Sequence, residues 1–210
     1  MIIRKLSLTA SIALSLLATF APAQEYAASS PGGGGGFSAS LGLYQADSKV
    51  QSPSGSEDSD PYSVGIAIGY DFDFYWGHLF SPQLGYIQHA VNSEDDYGSY
   101  KMTTIYVLYD FVYKPSWFAQ NMSVRYGVGN FIKKIDGDGG TVTVPNGSGT
   151  ATAYRPESST SHSGTFNLGL QWDFGAIQKT WGVRFYAFAF DVLDSKKMQL
   201  AYQLNGTYYF

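Results

Sequence analysis

Cysteine is absent from all 210 residues, so disulfide bridges, thiol chemistry and a lipid-bearing cysteine behind an export signal have no place in this chain. Histidine is scarce, at His78, His89 and His162 only, which leaves little for base or metal chemistry. Beyond residue 23 no apolar run approaches the ~20 residues that a membrane-spanning helix needs, so a helical membrane protein is excluded. Basic charge is in short supply too. Without Arg4 and Lys5 the chain keeps 11 basic against 17 acidic residues, a net charge of −6 with neutral histidines, and no basic patch exists to neutralise nucleic-acid phosphates.

What is present begins with MIIRKLSLTASIALSLLATFAPA. Arg4 and Lys5 precede an apolar run from Leu6 to Phe20, and a small-residue site follows at Ala21-Pro22-Ala23. This three-part layout predicts a secretory signal peptide over residues 1–23, cut before Gln24. Residues 24–36, QEYAASSPGGGGG, have no periodicity and read as a flexible leader. The remaining 37–210 form one domain, rich in glycine (24) and tyrosine (17), with an aromatic content of 17% that sets it apart from an average soluble domain.

From Phe37 onward the period is two, the signature of strands whose side chains alternate between faces. At the C-terminus Leu200, Tyr202, Leu204, Gly206, Tyr208 and Phe210 fall on one face and Gln199, Ala201, Gln203, Asn205, Thr207 and Tyr209 on the other. Residues 62–72 place Val64, Ile66, Ile68, Tyr70 and Phe72 opposite Ser63, Gly65, Ala67, Gly69 and Asp71. Residues 165–174 place Phe166, Leu168, Leu170, Trp172 and Phe174 opposite Thr165, Asn167, Gly169, Gln171 and Asp173. Residues 37–45 are a weaker case. Four further strands are predicted at 79–91, 101–113, 119–132 and 182–193. In 101–113 Ile105, Val107, Tyr109 and Phe111 go to the apolar face, with Tyr106 and Asp110 opposite. In 119–132 Val124, Tyr126 and Val128 do so, with Arg125, Gly127 and Gly129 opposite. In 182–193 the expected apolar face is Tyr186, Phe188 and Phe190, with Asp191 opposite and Arg184 left on the apolar side.

In a soluble sheet the apolar face is the inner one, and the polar face carries charges to water. Here the polar faces are mostly Gly, Ser, Ala, Thr, Asn and Gln, suited to a narrow lumen, while the apolar faces are bulky and aromatic. That pattern predicts an all-β fold, an eight-stranded antiparallel up-and-down transmembrane β-barrel, whose closure satisfies every backbone group within hydrocarbon. The connections agree. Those at 73–77, 114–117 and 175–180 are short and those at 46–61, 92–100 and 133–162 long or polar; only 194–197 breaks the alternation of periplasmic turns with extracellular loops. Trp76, Trp117, Trp172 and Trp181 all lie beside the short turns, as an aromatic girdle at one rim would.

With the strands GFSASLGLYQ and VGIAIGYDF, and a last strand ending Tyr208-Tyr209-Phe210, the chain resembles the small eight-stranded outer-membrane β-barrel superfamily, OmpA/OmpX-like, over its whole mature length. The resemblance implies location in a bacterial outer membrane among lipid and lipopolysaccharide. It also implies recognition by the barrel-assembly machinery through Tyr202, Leu204, Tyr208 and Phe210.

Catalytic and ligand sites were weighed residue by residue. His162 and Ser163 are adjacent and so point to opposite faces, poor geometry for a base and its nucleophile. Glu94, Asp95 and Asp96 near His89 read as a solvated loop tip. Asp136-Gly137-Asp138-Gly139-Gly140 lacks the later ligands and terminal Glu of a calcium loop. No enzyme activity, metal or cofactor is expected. Asp71, Asp110, Asp173 and Asp191 are assigned with Arg125 to the lumen, where Arg125 needs a carboxylate or water partner; they form a polar plug or, alternatively, line a narrow ion path. Two function classes follow: a structural or interaction protein that presents extracellular loops to a protein or glycan, and a narrow pore or small-solute transport barrel. Within 133–162, the segments 141–144 and 150–154 flank PNGSG, which predicts a hairpin continuing the two strands beyond the membrane.

Overall fold

The computed structural model describes residues 36–46, 49–51, 57–59, 62–89, 92–95, 98–119, 121–147, 149–174, 181–192 and 198–210. The expected signal peptide, all of the leader except Gly36, and the turn at 175–180 lie outside the described residues.

Eight long strands follow one another: β1 (Phe37–Ala46), β2 (Ser63–Tyr70), β3 (His78–Gln88), β4 (Gly98–Tyr113), β5 (Met122–Asp138), β6 (Glu157–Phe174), β7 (Trp181–Phe190) and β8 (Gln199–Tyr209). Each pairs antiparallel with its predecessor, and β8 returns to β1 over Ser38↔Tyr209 to Ala46↔Ala201, closing an up-and-down barrel. Closure leaves no edge within the wall, which is what alternating strands in a low-dielectric surrounding require. Both ends of the barrel chain lie at the rim of the short turns, where Phe210 N–H bonds Phe37 O at 3.0 Å and Asp71 N–H bonds Gly36 O at 3.0 Å. Pro82 lies within β3, and because it lacks an N–H the ladder to β2 stops at Gly69↔Gln83 and resumes beyond it at Phe72↔Phe80.

The opposite rim is uneven. β5 and β6 stay paired to Asp138↔Glu157, with a bulge at Glu157/Ser159 where β5 carries one residue more. β4 accompanies β5 to Tyr100↔Gly137. Above these, Thr141–Asn146 pairs with Gly149–Tyr154 as a separate hairpin, with Thr143↔Thr152 at its middle and Asn146↔Gly149 at its tip. The turn thus falls on residues 147–148, one position later than an Asn-Gly turn, with Gly147 at φ 33°.

One strand has the opposite phase to that expected. On β7 the residues Arg184, Tyr186, Phe188 and Phe190 are buried in the lumen, and Trp181, Val183 and Phe185 face outward. The expected phase put the largest aromatics toward lipid and tolerated an outward arginine. The structure instead places those rings where neighbouring strands offer glycine. A Cβ on Gly169 would lie 2.9 Å from Cδ1 of Tyr186, and one on Gly85 would collide with the ring of Tyr106. Small and large inward residues thus complement one another across strands, as a narrow bore requires. Asp191 is not in the lumen either. It is exposed, at φ 50°, just past the end of β7.

Candidate functional site

The bore is filled in two layers. Toward the short-turn rim lies a continuous polar network. Arg125, with no exposed surface, reaches Gln171 Oε1 through Nη1 at 2.6 Å and Ser81 Oγ through Nη2; its Nε stands 3.5 Å from Asp110 Oδ2 and its Nη2 3.9 Å from Asp71 Oδ1. Ser81 in turn donates to Asp71 at 2.5 Å. Asp110 accepts from Asn167 at 2.6 Å and from Gln83 and Tyr186, each at 2.9 Å. Arg184 donates to Gln171 at 3.1 Å and Gln83 at 3.3 Å, so the two glutamines bridge both guanidinium groups to the carboxylates. Asp173 accepts from Gln171 at 2.8 Å and Tyr209 at 2.9 Å.

Of the expected lumen charges the fold thus brings together Asp71, Asp110, Arg125 and Asp173. Arg184, Gln83, Gln171 and Tyr186 are the members that reading along one strand at a time missed. The signal lay in the partners, since Arg184 registers with Gln171 of β6 and Asn205 of β8, both on polar faces. Buried ions are tolerated in such a place only with their charges paired and their hydrogen bonds made.

The second layer is aromatic. Phe131 lies at 5.0 Å from Tyr106, 5.1 Å from Phe188 and 5.0 Å from Phe190, with Tyr44 and Ile87 in the same cluster. His89 caps it, bonded to Ser63 Oγ at 2.9 Å and Thr104 Oγ1 at 2.9 Å, and edge-on to Tyr44. Both layers are made of buried side chains, so the bore is a packed core.

The outer wall has the reverse chemistry. Ile66, Ile68, Leu84, Ile105, Tyr109, Val128, Phe166, Leu168, Leu170 and Leu204 are all exposed, in a band that runs round the barrel. An apolar exterior around a polar, charge-bearing interior is unstable in water and stable in a bilayer. The chain is an eight-stranded transmembrane β-barrel, with the fold of the small outer-membrane barrels.

No protein-family model matches the chain, and no curated protein sequence does. Among solved structures the barrel is similar to Ail, the attachment invasion locus protein of Yersinia pestis, at 13% identity over 83% of this chain and 97% of that one, with a TM-score of 0.46. For Ail in complex with the heparin analogue sucrose octasulfate the identity is 15% over the same shares, 83% and 97%, with a TM-score of 0.48. The N-terminal β-barrel domain of Pseudomonas aeruginosa OprF gives 11% identity over 84% of this chain and 100% of that one, with a TM-score of 0.39. The likeness is one of fold alone.

On the barrel wall Trp117, Trp172 and Trp181 are exposed at or beside the short-turn rim; Trp76 belongs to the 3-10 turn Tyr75–Gly77 there, and its side chain lies outside the described residues. Tyr202 and Leu204 face outward on β8, with Tyr208 and Phe210 half-buried at its end, their rings 5.0 Å apart.

At the loop rim, β6 changes character. Its pairing with β7 starts at Thr165↔Phe190, so among the described residues nothing pairs with Glu157–Gly164 on the side away from β5. Those eight residues are exposed except for a half-buried Ser163. Across from them on β5 stand Lys133, opposite Ser161, and Lys134, opposite Thr160; Lys134 also approaches Asp136 at 4.0 Å on the surface. His162 and Ser163 fall on opposite faces of β6, as adjacent strand residues do. The side chains of Glu94, Asp95 and Asp96 lie outside the described residues. Among the described residues no group of three metal-ligating side chains gathers.

Proposed function

We propose that the protein is exported by cleavage of residues 1–23, inserts in a bacterial outer membrane, and serves as a sealed anchor. The anchor carries a small β-sheet outside the cell for contact with a protein or glycan partner. The observation that carries this reading is the continuation of β6, with β5 and β4, beyond the level where β7 stops, above a bore packed from wall to wall. Wall strands need only cross the hydrocarbon, so ordered strand beyond that span is best explained by use outside it. In this reading the short turns are periplasmic and the tryptophans form a girdle at that rim. Lipopolysaccharide surrounds the loop end, and Tyr202, Leu204, Tyr208 and Phe210 form the assembly signal read by the barrel-assembly machinery. No catalytic step and no cofactor enters.

Two measurements test it. Cysteines introduced at Thr143 and Ser161 should react with an impermeant reagent on intact cells, and one at Ser116 should not; the reverse pattern inverts the orientation and removes the reading. In planar bilayers the refolded protein should show no steady open-state current. A stable current through the untouched barrel would favour the narrow pore instead.

A further inference from the structure

The geometry points to the outer edge of β6, Glu157–Gly164, as a strand-addition site that takes an extended, acidic segment of another protein. This rests on the surface reading above and names the partner class for it.

Three observations converge. First, the edge is open: its backbone groups on the side away from β5 have no strand partner among the described residues, and its side chains stand in solvent. Second, it lacks the usual protection. Exposed edges are normally blunted by lysine, proline or an inward-pointing charge, whereas SSTSHSG over 158–164 contains none of these, and Glu157 is the one charge, at the far tip. The bulge at Glu157/Ser159 falls at that tip and leaves Ser159–Gly164 in regular register. Third, the nearest cations lie one strand behind the edge. Lys134 stands beside Thr160 on the outer face and Lys133 beside Ser161 on the inner face. A strand added to β6 would run two strand spacings from them, roughly 9–10 Å. The short Ser and Thr side chains between leave room for a lysine and a carboxylate to meet across that gap. Adjacent acidic residues on the added strand, one per face, would each find a lysine.

A second copy of this chain in the same membrane fits less well. Its β6 descends in the same sense, so edges brought together would run parallel, whereas a free segment can run antiparallel, the more stable pairing. Backbone pairing supplies the affinity and the two lysines supply the preference.

The test uses the full barrel refolded in lipid nanodiscs and a labelled, capped synthetic peptide of alternating threonine and valine with a central Asp-Asp pair. Fluorescence polarisation should show saturable binding. N-methylation of one alternate set of peptide amides should abolish it, and methylation of the other set should not, a signature that side-chain docking does not produce. The double variant Lys133→Glu/Lys134→Glu, checked for heat-modifiable folding, should bind the acidic peptide about tenfold more weakly and recover binding with a Lys-Lys peptide. Absence of binding, indifference to both methylation patterns, or preference of the native barrel for the Lys-Lys peptide overturns the proposal. Concentration-dependent dimerisation that the peptide competes away would assign the edge to a second copy and overturn it equally. If Ser161 is surface-labelled on cells and the peptide still fails, only this inference falls; if Ser161 is not labelled, the surface reading has failed first.

Discussion

The two halves of β6 are one continuous strand in opposite circumstances. Thr165–Phe174 is held between β5 and β7 and alternates buried with exposed at every step, whereas Glu157–Gly164 is held by β5 alone and is exposed on both faces. In the lower half each inward polar side chain answers to a neighbour: Asn167 to Asp110, Gln171 to both arginines and to Asp173. In the upper half Ser159, Thr160 and Ser161 answer to solvent. Composition follows the circumstance. The lower half alternates Phe, Leu, Leu, Trp, Phe with Thr, Asn, Gly, Gln, Asp, and the upper half, flanked on one side, needs no alternation and shows only hydroxyls, one histidine and glycine.

The sharpest way to break the comparison is to leave a buried charge alone. Arg125→Leu removes the cation facing Asp71 and Asp110 and should destabilise the barrel by about 3–5 kcal/mol, read from urea unfolding in lipid vesicles. The same truncation at Lys134 should leave that midpoint within about 0.5 kcal/mol. Next in size is a charge on the lipid face of the lower half. Leu168→Arg should cost ~2–4 kcal/mol by the same measurement if it lies near the bilayer centre, while Thr160→Arg, on the same face of the upper half, should be silent because it lies outside the hydrocarbon.

A subtler effect comes from β7. Val183→Arg, outward, and Phe188→Ala, inward, should both destabilise, the second by about 3 kcal/mol through an unfilled space in the aromatic layer. If Phe188→Ala cost nothing while Ala187→Phe were the damaging change, the phase of β7 would have to be reversed. The smallest effect belongs to the hairpin. Deletion of residues 139–153 touches no wall strand, and heat-modifiable migration of the folded barrel should be unchanged.

The eight strands, their order and the phase of seven of them were legible in the sequence, because a two-residue period with one bulky and one small or polar face has few other realisations. The C-terminal strand shows it plainly: Leu204 outward and Asn205 inward follow from the alternation alone. The phase of β7 was not legible, since Tyr186, Phe188 and Phe190 suit a lipid-facing wall and an aromatic lumen equally well. Hydrophobicity counts ring area and is blind to which side of the wall the ring occupies. Arg184 was the dissenting residue. Its charge weighed against the expected phase, but only its neighbours Gln171 and Gln83 show how the lumen accommodates it.

By itself the sequence determined that the chain is a closed antiparallel barrel with an apolar outside, since periodicity and residue size are local properties printed along each strand. The tertiary structure decided how the bore is divided into a charged and an aromatic layer, and where β6 loses its second neighbour. Both depend on register between strands far apart in the chain, such as Arg184 against Gln171 and Phe188 against Phe131, and register is set by cross-strand packing that no single strand carries.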